Sequence, residues 1–333
     1  MNARDPVAKN SDEPTDPTDE LVATSASTAA KTDAAPPGKQ LKRWLQPLMW
    51  LITAAFVVWT ALDLIKSWNG RRISVDPLWL SASLVPVLVG AVLQGVAWIA
   101  LAERMGRTTI PRRRALSLYF ASQLARYTPG KVGLPIVRMN GAPELGLSRR
   151  LVGVSVLVEM LSWTATGSVV GFLMLSLSDV PSSGVGALAG KFATPLLIAS
   201  LAGMVVLVAV DRRYAPAPIK RALDLEGHGA LVPLRLPAWQ LLYWLTWALH
   251  GYFLARALGA TSAEAQATMG FSPLANVLGF VALAAPAGVG VREAVLVAGL
   301  GPVIGSAGAI GAAIASRLVS LVADLGTWLA LRK

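Results

Sequence analysis

The chain is 333 residues long, 54% hydrophobic and 15% charged, with a mean hydropathy of +0.55, which excludes an ordinary soluble domain and indicates a polytopic membrane protein. It has no cysteine, and its two histidines, His228 and His250, stand far apart in the chain, so a thiolate metal site is excluded and a histidine-based metal centre or hydrolase is not expected. The formal net charge of +11 reads, in such a chain, as an orientation and headgroup signal and not as a nucleic-acid footprint.

Residues 1–40 are rich in Asp, Glu, Pro, Thr, Ser and Ala and hold no apolar run, which predicts a disordered cytoplasmic tail ahead of a transmembrane domain at 41–333. The tail lacks the basic start and apolar core of a secretory signal, so the first membrane helix is expected to act as an internal anchor. Lys39, Lys42, Arg43 and Trp44 form a basic edge before a span at about 47–65; a second span follows at about 79–102, after Arg71, Arg72, Asp76 and Pro77. From Arg104 to Arg150 there are ten Lys or Arg against Glu103 and Glu144 nearby. Inside this basic region, 115–125 is apolar but too short to cross, and Pro129-Gly130 stops it, which predicts a re-entrant hairpin.

Further spans are expected at about 151–177, with Glu159 well inside, and at about 192–210, before Arg212, Arg213, Lys220 and Arg221. The next, at about 238–258, begins with Trp239, Tyr243, Trp244 and Trp247, which read as an interfacial aromatic belt. Residues 265–300 are apolar but interrupted at Pro286 to Gly290, which predicts two half-helices; a final helix at about 306–331 carries Arg317 and Asp324 and ends in Arg332-Lys333.

With the N-terminus inside, twenty basic residues counted from Lys39 onward fall on the cytoplasmic side and four (Lys66, Arg71, Arg72, Lys191) on the other, provided both broken segments return to the side they left. The expected fold is therefore an all-α polytopic membrane protein with about six full transmembrane helices and two broken hairpins, arranged as an inverted repeat with both termini cytoplasmic.

The hairpin breaks are assigned to Pro129, Gly130 and Gly133 and to Pro286, Gly288 and Gly290. A charge at such a break is a functional-site candidate, so Arg126, Lys131 and Arg138 around the first, and the adjacent Arg292 and Glu293 at the second, are assigned to an anionic headgroup. For the basic residues the competing reading is a topology signal, and for Arg292-Glu293 a pair that closes the break. Glu159, Arg317 and Asp324 are assigned to the same substrate site: Glu159, buried by position, must pair, protonate or face water, with a structural salt bridge as the competing reading, and Arg317 and Asp324 lie two turns apart on one face, each paired with another helix, Arg317 with Glu159 or Glu293. His250 reads as a hydrogen-bonded packing residue. The glycine-rich stretch Gly299 to Gly311 lacks a Gly-Lys-Ser/Thr ending, so neither a nucleotide nor another cofactor is expected.

Tyr127-Thr128-Pro129-Gly130-Lys131-Val132-Gly133, then Arg138, Gly146 to Arg150 and Ser155 to Glu159, together with Pro286 to Glu293, resemble the lysylphosphatidylglycerol synthase transmembrane region, over about residues 45–331. This is the flippase-like domain of multiple peptide resistance factors. The resemblance implies a stand-alone, non-enzymatic member that moves a phospholipid or polyprenyl-phosphate-linked headgroup between the leaflets of a bacterial plasma (inner) membrane. A homo-oligomer or a glycosyltransferase is an expected partner. The alternative is a non-transporting scaffold for a glycosyltransferase or cell-envelope assembly complex.

Overall fold

The computed structural model describes residues 75–127, 132–178, 184–209, 232–282, 288 and 290–332. All of them fall in the unit Leu48–Lys333. The tail, the expected span at 47–65, residues 128–131 with Pro129, Gly130 and Lys131, and residues 283–287 with Pro286 lie outside the described residues.

The described residues are helical, without a strand. In chain order the helices are α1 (Pro77–Gly106), α2 (Arg112–Leu124), α3 (Gly133–Gly141), α4 (Arg149–Ser176), α5 (Gly184–Ala209), α6 (Arg235–Ala257), α7 (Ser262–Ala267), α8 (Phe271–Val281) and α9 (Val291–Leu331). Four stretches among them are long and apolar enough to cross a membrane: α1, α4, Gly190–Ala209 in α5, and α9. α6 is 23 residues long and carries Gln240, Thr246 and His250, which dilute its apolar character.

The ends of the helices are written locally. The Asp76 carboxylate accepts the Leu78 N–H at 2.8 Å, with Pro77 at the first helical position, and starts α1 three residues ahead of its first tryptophan. Ser148 caps α4 by accepting the Leu151 N–H at 3.1 Å. The arms α2 and α8, of 13 and 11 residues, reach only about 20 and 16 Å at 1.5 Å per residue, short of a roughly 30 Å hydrocarbon core.

α9 is not one straight rod. Gly305, at φ 75° and ψ 162°, leaves the helical region in a conformation that a side chain disfavours. Arg292 and Ser316 would stand about 36 Å apart along a straight helix. Their side chains instead meet at 2.7 Å, so the chain doubles back. The final helix expected from 306 is the second arm of α9, and the first arm with α8 forms the second hairpin.

The two hairpins enter from opposite ends of the bundle. At one end Trp98, Ile99 and Ala102 of α1 share a core with Ala115, Ala142 and Leu145 at the base of the first hairpin and with Trp328 and Leu331 of α9. At the other end Leu80 of α1 packs among Leu254, Ala260, Leu296, Leu300 and Ala309, and the Asp76 N–H donates to the Ala257 carbonyl at 2.8 Å. This is the opposed arrangement that an inverted repeat requires.

The aromatic belt is a correction. Tyr243, Trp244 and Trp247 are buried, and they stack with Trp163 of α4, whose ring centroid lies 4.4 Å from that of Trp244. They recur at three- and four-residue spacing on the face of α6 that meets α1 and α4, so they form core and not interface.

Candidate functional site

Between the hairpin tips lies a cavity of about 130 Å³. Arg126 and Arg138 of the first hairpin, Arg292 of the second, Arg317 of the last arm and Glu159 of α4 all line it. Residues assigned from five separate stretches of sequence are thereby brought to one place. Glu293 and Asp324 stand behind it, bonded to Arg317 and Arg126.

Arg138 is the most deeply set. It is 1% exposed, its Nε donates to Ser122 Oγ at 2.8 Å, and its Nη1 is bonded to Glu159 Oε2. The guanidinium also lies 4.8 Å from the Trp98 ring and 4.3 Å from the Tyr119 ring, both favourable cation–π distances. Glu159 Oε1 in turn accepts from Gln94 Nε2 at 3.0 Å. A buried charge pair survives only with its remaining hydrogen-bonding positions filled, and here Ser122 and Gln94 fill them.

Arg126 sits at the tip of the first hairpin, in the short 3₁₀ turn Ala125–Tyr127. Its Nη2 is bonded to Asp324 Oδ2 and its Nη1 donates to Gln123 Oε1 at 3.3 Å. Its side chain is 32% exposed against 8% for Asp324, which makes it the open member of the pair.

At the second break the adjacent Arg292 and Glu293 do not pair with each other, because consecutive helical residues point in different directions. Glu293 closes the break: its Oε2 accepts the Gly290 N–H at 2.8 Å, and its Oε1 accepts from Arg317 Nε at 2.8 Å and from Nη2 at 2.7 Å. Arg292 Nη2 donates to Ser316 Oγ at 2.7 Å and to Ser320 Oγ at 3.2 Å, and the guanidinium lies 5.3 Å from the Trp247 ring. His250 supports this arrangement. Its Nδ1 lies 2.9 Å from the Ser83 carbonyl, an acceptor only, so Nδ1 carries the proton and Nε2 accepts from the Ser316 hydroxyl at 2.9 Å.

The break glycines divide by role. Gly288 has φ 70°, and a Cβ there would stand 2.7 Å from the Gly279 Cα, so it is the point at which the arms of the second hairpin touch. Gly290 has φ 91° ahead of α9, and Gly133 opens α3.

Several lining residues carry no formal charge and escape charge counting: Gln94, Tyr119, Gln123, Trp163, Tyr243 and Asn276. Gln94 and Asn276 are neutral amides inside apolar helices, which is the signal that marks them. Arg149 and Arg150 are exposed and do not line the cavity.

A family model described as Lysylphosphatidylglycerol synthase TM region matches residues 46–325. The chain belongs to this family. The match spans both hairpins and every assigned charge from Arg126 to Asp324, so in this lysylphosphatidylglycerol synthase transmembrane-region protein the cavity lies wholly within the family domain. Membership sets the protein in the membrane, in a lipid-related role. A search of curated proteins finds no match.

Proposed function

We propose that this protein is a flippase-like translocase that holds the anionic phosphate headgroup of a membrane lipid, or of a lipid-linked precursor, in the cavity between its hairpins. The observation that carries the reading is the convergence of Arg126, Arg138, Arg292 and Arg317 on one cavity at the tips of two hairpins that enter from opposite ends. A phosphate inside a bilayer needs fixed donors in place of water, and guanidinium groups supply them in pairs. Four arginines against three carboxylates leave the site one positive charge in excess, suited to a phosphodiester.

The residues take different parts. Arg126, the most open, meets the phosphate first, and the incoming oxygens share its guanidinium with Asp324. Arg138 is committed to Glu159 and fixes the wall. Arg292, braced by Ser316, Ser320 and the Trp247 ring, holds the headgroup from the second hairpin. The acyl or prenyl tails stay in lipid, which leaves the energetic burden of transfer on the headgroup alone. On this reading the protein works in a bacterial plasma membrane with both termini cytoplasmic and moves the lipid without converting it.

The test is reconstitution into liposomes with labelled phosphatidylglycerol derivatives and labelled polyprenyl-phosphate sugars. Transbilayer movement of at least one lipid is expected to exceed that of protein-free vesicles, and Arg126→Ala is expected to abolish the excess. Movement at the protein-free level for every lipid would end the translocase reading and leave the scaffold alternative standing.

A further inference from the structure

Charge explains only part of the cavity wall. Among the arginines stand the rings of Trp163, Tyr243, Trp247 and Phe280, Trp247 lying 5.3 Å from the Arg292 guanidinium, and the Gln94 amide lines the same cavity. Two polar atoms in this wall are buried without a well-aligned hydrogen-bond partner among the described residues: the Gln94 Oε1 acceptor and the Trp247 Nε1–H donor, which has the Tyr243 hydroxyl within reach but out of line. The amide of Gln94 is not free to turn round, because its NH₂ faces the Glu159 carboxylate and an oxygen there would meet another oxygen. The wall therefore offers a fixed acceptor and a fixed donor beside aromatic faces, both awaiting a well-aligned partner.

The carboxylates make the opposite statement. Glu159 accepts from Arg138 and Gln94, Glu293 from Arg317 and the Gly290 N–H, and Asp324 from Arg126. Each is engaged by a cation of the protein, and the one positive charge in excess does not favour a further cation brought in by a ligand. An ammonium-bearing headgroup finds no anionic seat here. A neutral hydroxylated ring finds one: its hydroxyls both donate and accept, matching Gln94 Oε1 and Trp247 Nε1–H, and its C–H face lies against the aromatic rings.

We infer that the headgroup selected by this cavity is a neutral polyhydroxylated ring joined to the phosphate, as in a glycosyl phosphoprenol or a phosphatidylinositol-type lipid. The inference rests on the phosphate-headgroup reading above and adds to it the group beyond the phosphate. Arg126 and Arg292 take the phosphate; Gln94 and Trp247 read the ring hydroxyls.

Binding to the purified full-length protein distinguishes the two levels. The probes are a short-chain prenyl phosphohexose against the same prenyl phosphate without sugar, phosphatidylinositol against phosphatidic acid, and lysylphosphatidylglycerol. At least one ring-bearing lipid is expected to bind about tenfold more tightly than its ring-free phosphate, the difference one or two well-placed hydrogen bonds provide. Trp247→Phe keeps the ring and loses the N–H, and it leaves the Gln94 NH₂ that serves Glu159 in place. It is expected to erase most of that preference while leaving prenyl phosphate or phosphatidic acid binding unchanged, which also certifies that the variant folds. The tighter of the two ring-bearing lipids identifies the source of the ring. Equal binding of ring-bearing and ring-free lipids, or binding of lysylphosphatidylglycerol as tight as the best of them, overturns the polyol inference and leaves the phosphate site intact. Failure of all five probes overturns both.

Discussion

The two hairpins do similar geometric work with different chemistry. The first is held at its tip and return arm by charges it does not itself neutralise: Arg126 reaches Asp324 on the last arm of α9, and Arg138 reaches Glu159 on α4. The second brings its own carboxylate, Glu293, which caps its outgoing arm and pairs with Arg317, and its arms meet glycine on glycine at Gly279 and Gly288. The first hairpin is thus fixed by long-range ion pairs and the second by close backbone packing. Loss of a charge should break one, and added volume should break the other.

The largest expected effect is on the first hairpin. Glu159→Leu strands the Arg138 guanidinium in a wall where it is 1% exposed, and removal of one member of a buried pair costs about 3–5 kcal/mol. The double variant Arg138→Leu/Glu159→Leu should regain much of that, because it leaves no buried charge unpaired and only the neutral Gln94 amide without its acceptor. Thermal unfolding in detergent, compared across the cycle, checks both; equal loss in the single and double variants would show that the pair is not what holds the hairpin.

On the second hairpin the sensitive position is Gly288. Alanine there must adopt φ 70° with its Cβ 2.7 Å from backbone atoms of Gly279, at a combined cost of about 2–3 kcal/mol. Gly279→Ala, whose added Cβ meets the Arg292 Cβ at 3.2 Å, should cost less. The same thermal measurement ranks them, and a reversed order would place the close approach elsewhere.

This contrast accounts for what could be read from the sequence. The break at Gly288 and Gly290 was legible, because glycine acts locally, and so was the fresh helix after Gly305; at the first break only the flanking ends at Tyr127 and Gly133 are described. Burial of Glu159 and Asp324 was legible because a charge inside an apolar span has few other options. Partner choice was only partly legible: Arg317 joins Glu293, one of two partners open to it, whereas Arg126 with Asp324 is a contact across 198 residues that no spacing encodes. The Tyr243 to Trp247 ladder misled for a related reason. Aromatic residues near a helix end suit both an interface and a core, and only the azimuth of α6 against α1 and α4 separates the two.

A smaller effect is expected at Asp324. Arg126 is 32% exposed, so water screens it when its partner is lost, and Asp324→Asn should cost about 1 kcal/mol or less. The same change removes the competitor of an incoming phosphate. Prenyl phosphate should therefore bind more tightly to Asp324→Asn than to the unaltered protein in the binding experiment described above, and weaker binding would assign Asp324 to the ligand instead.

The smallest effect separates the helix starts that lead into the two hairpins. α2 begins after Pro111 with no side-chain cap, whereas α7, which leads into the second hairpin, begins with a capping box. Glu264 Oε2 accepts from the Thr261 N–H and hydroxyl, each at 2.8 Å, while Thr261 Oγ1 accepts the Glu264 N–H at 3.3 Å. The backbone and hydroxyl hydrogen bonds from Thr261 hold the exposed Glu264 carboxyl below its ordinary value of 4.5. A depressed folded-state value means that the contribution is complete above the unfolded value and is lost as pH falls through the folded one. Amide exchange across 262–267, corrected for its intrinsic pH dependence, should lose protection in that acid range, and Glu264→Gln should flatten the profile. Residues 112–117, whose helix start has no titrating cap, should show no matching step. A step at both helix starts would mean that acid loosens the hairpins through the buried pairs they share with the bundle and not through the cap.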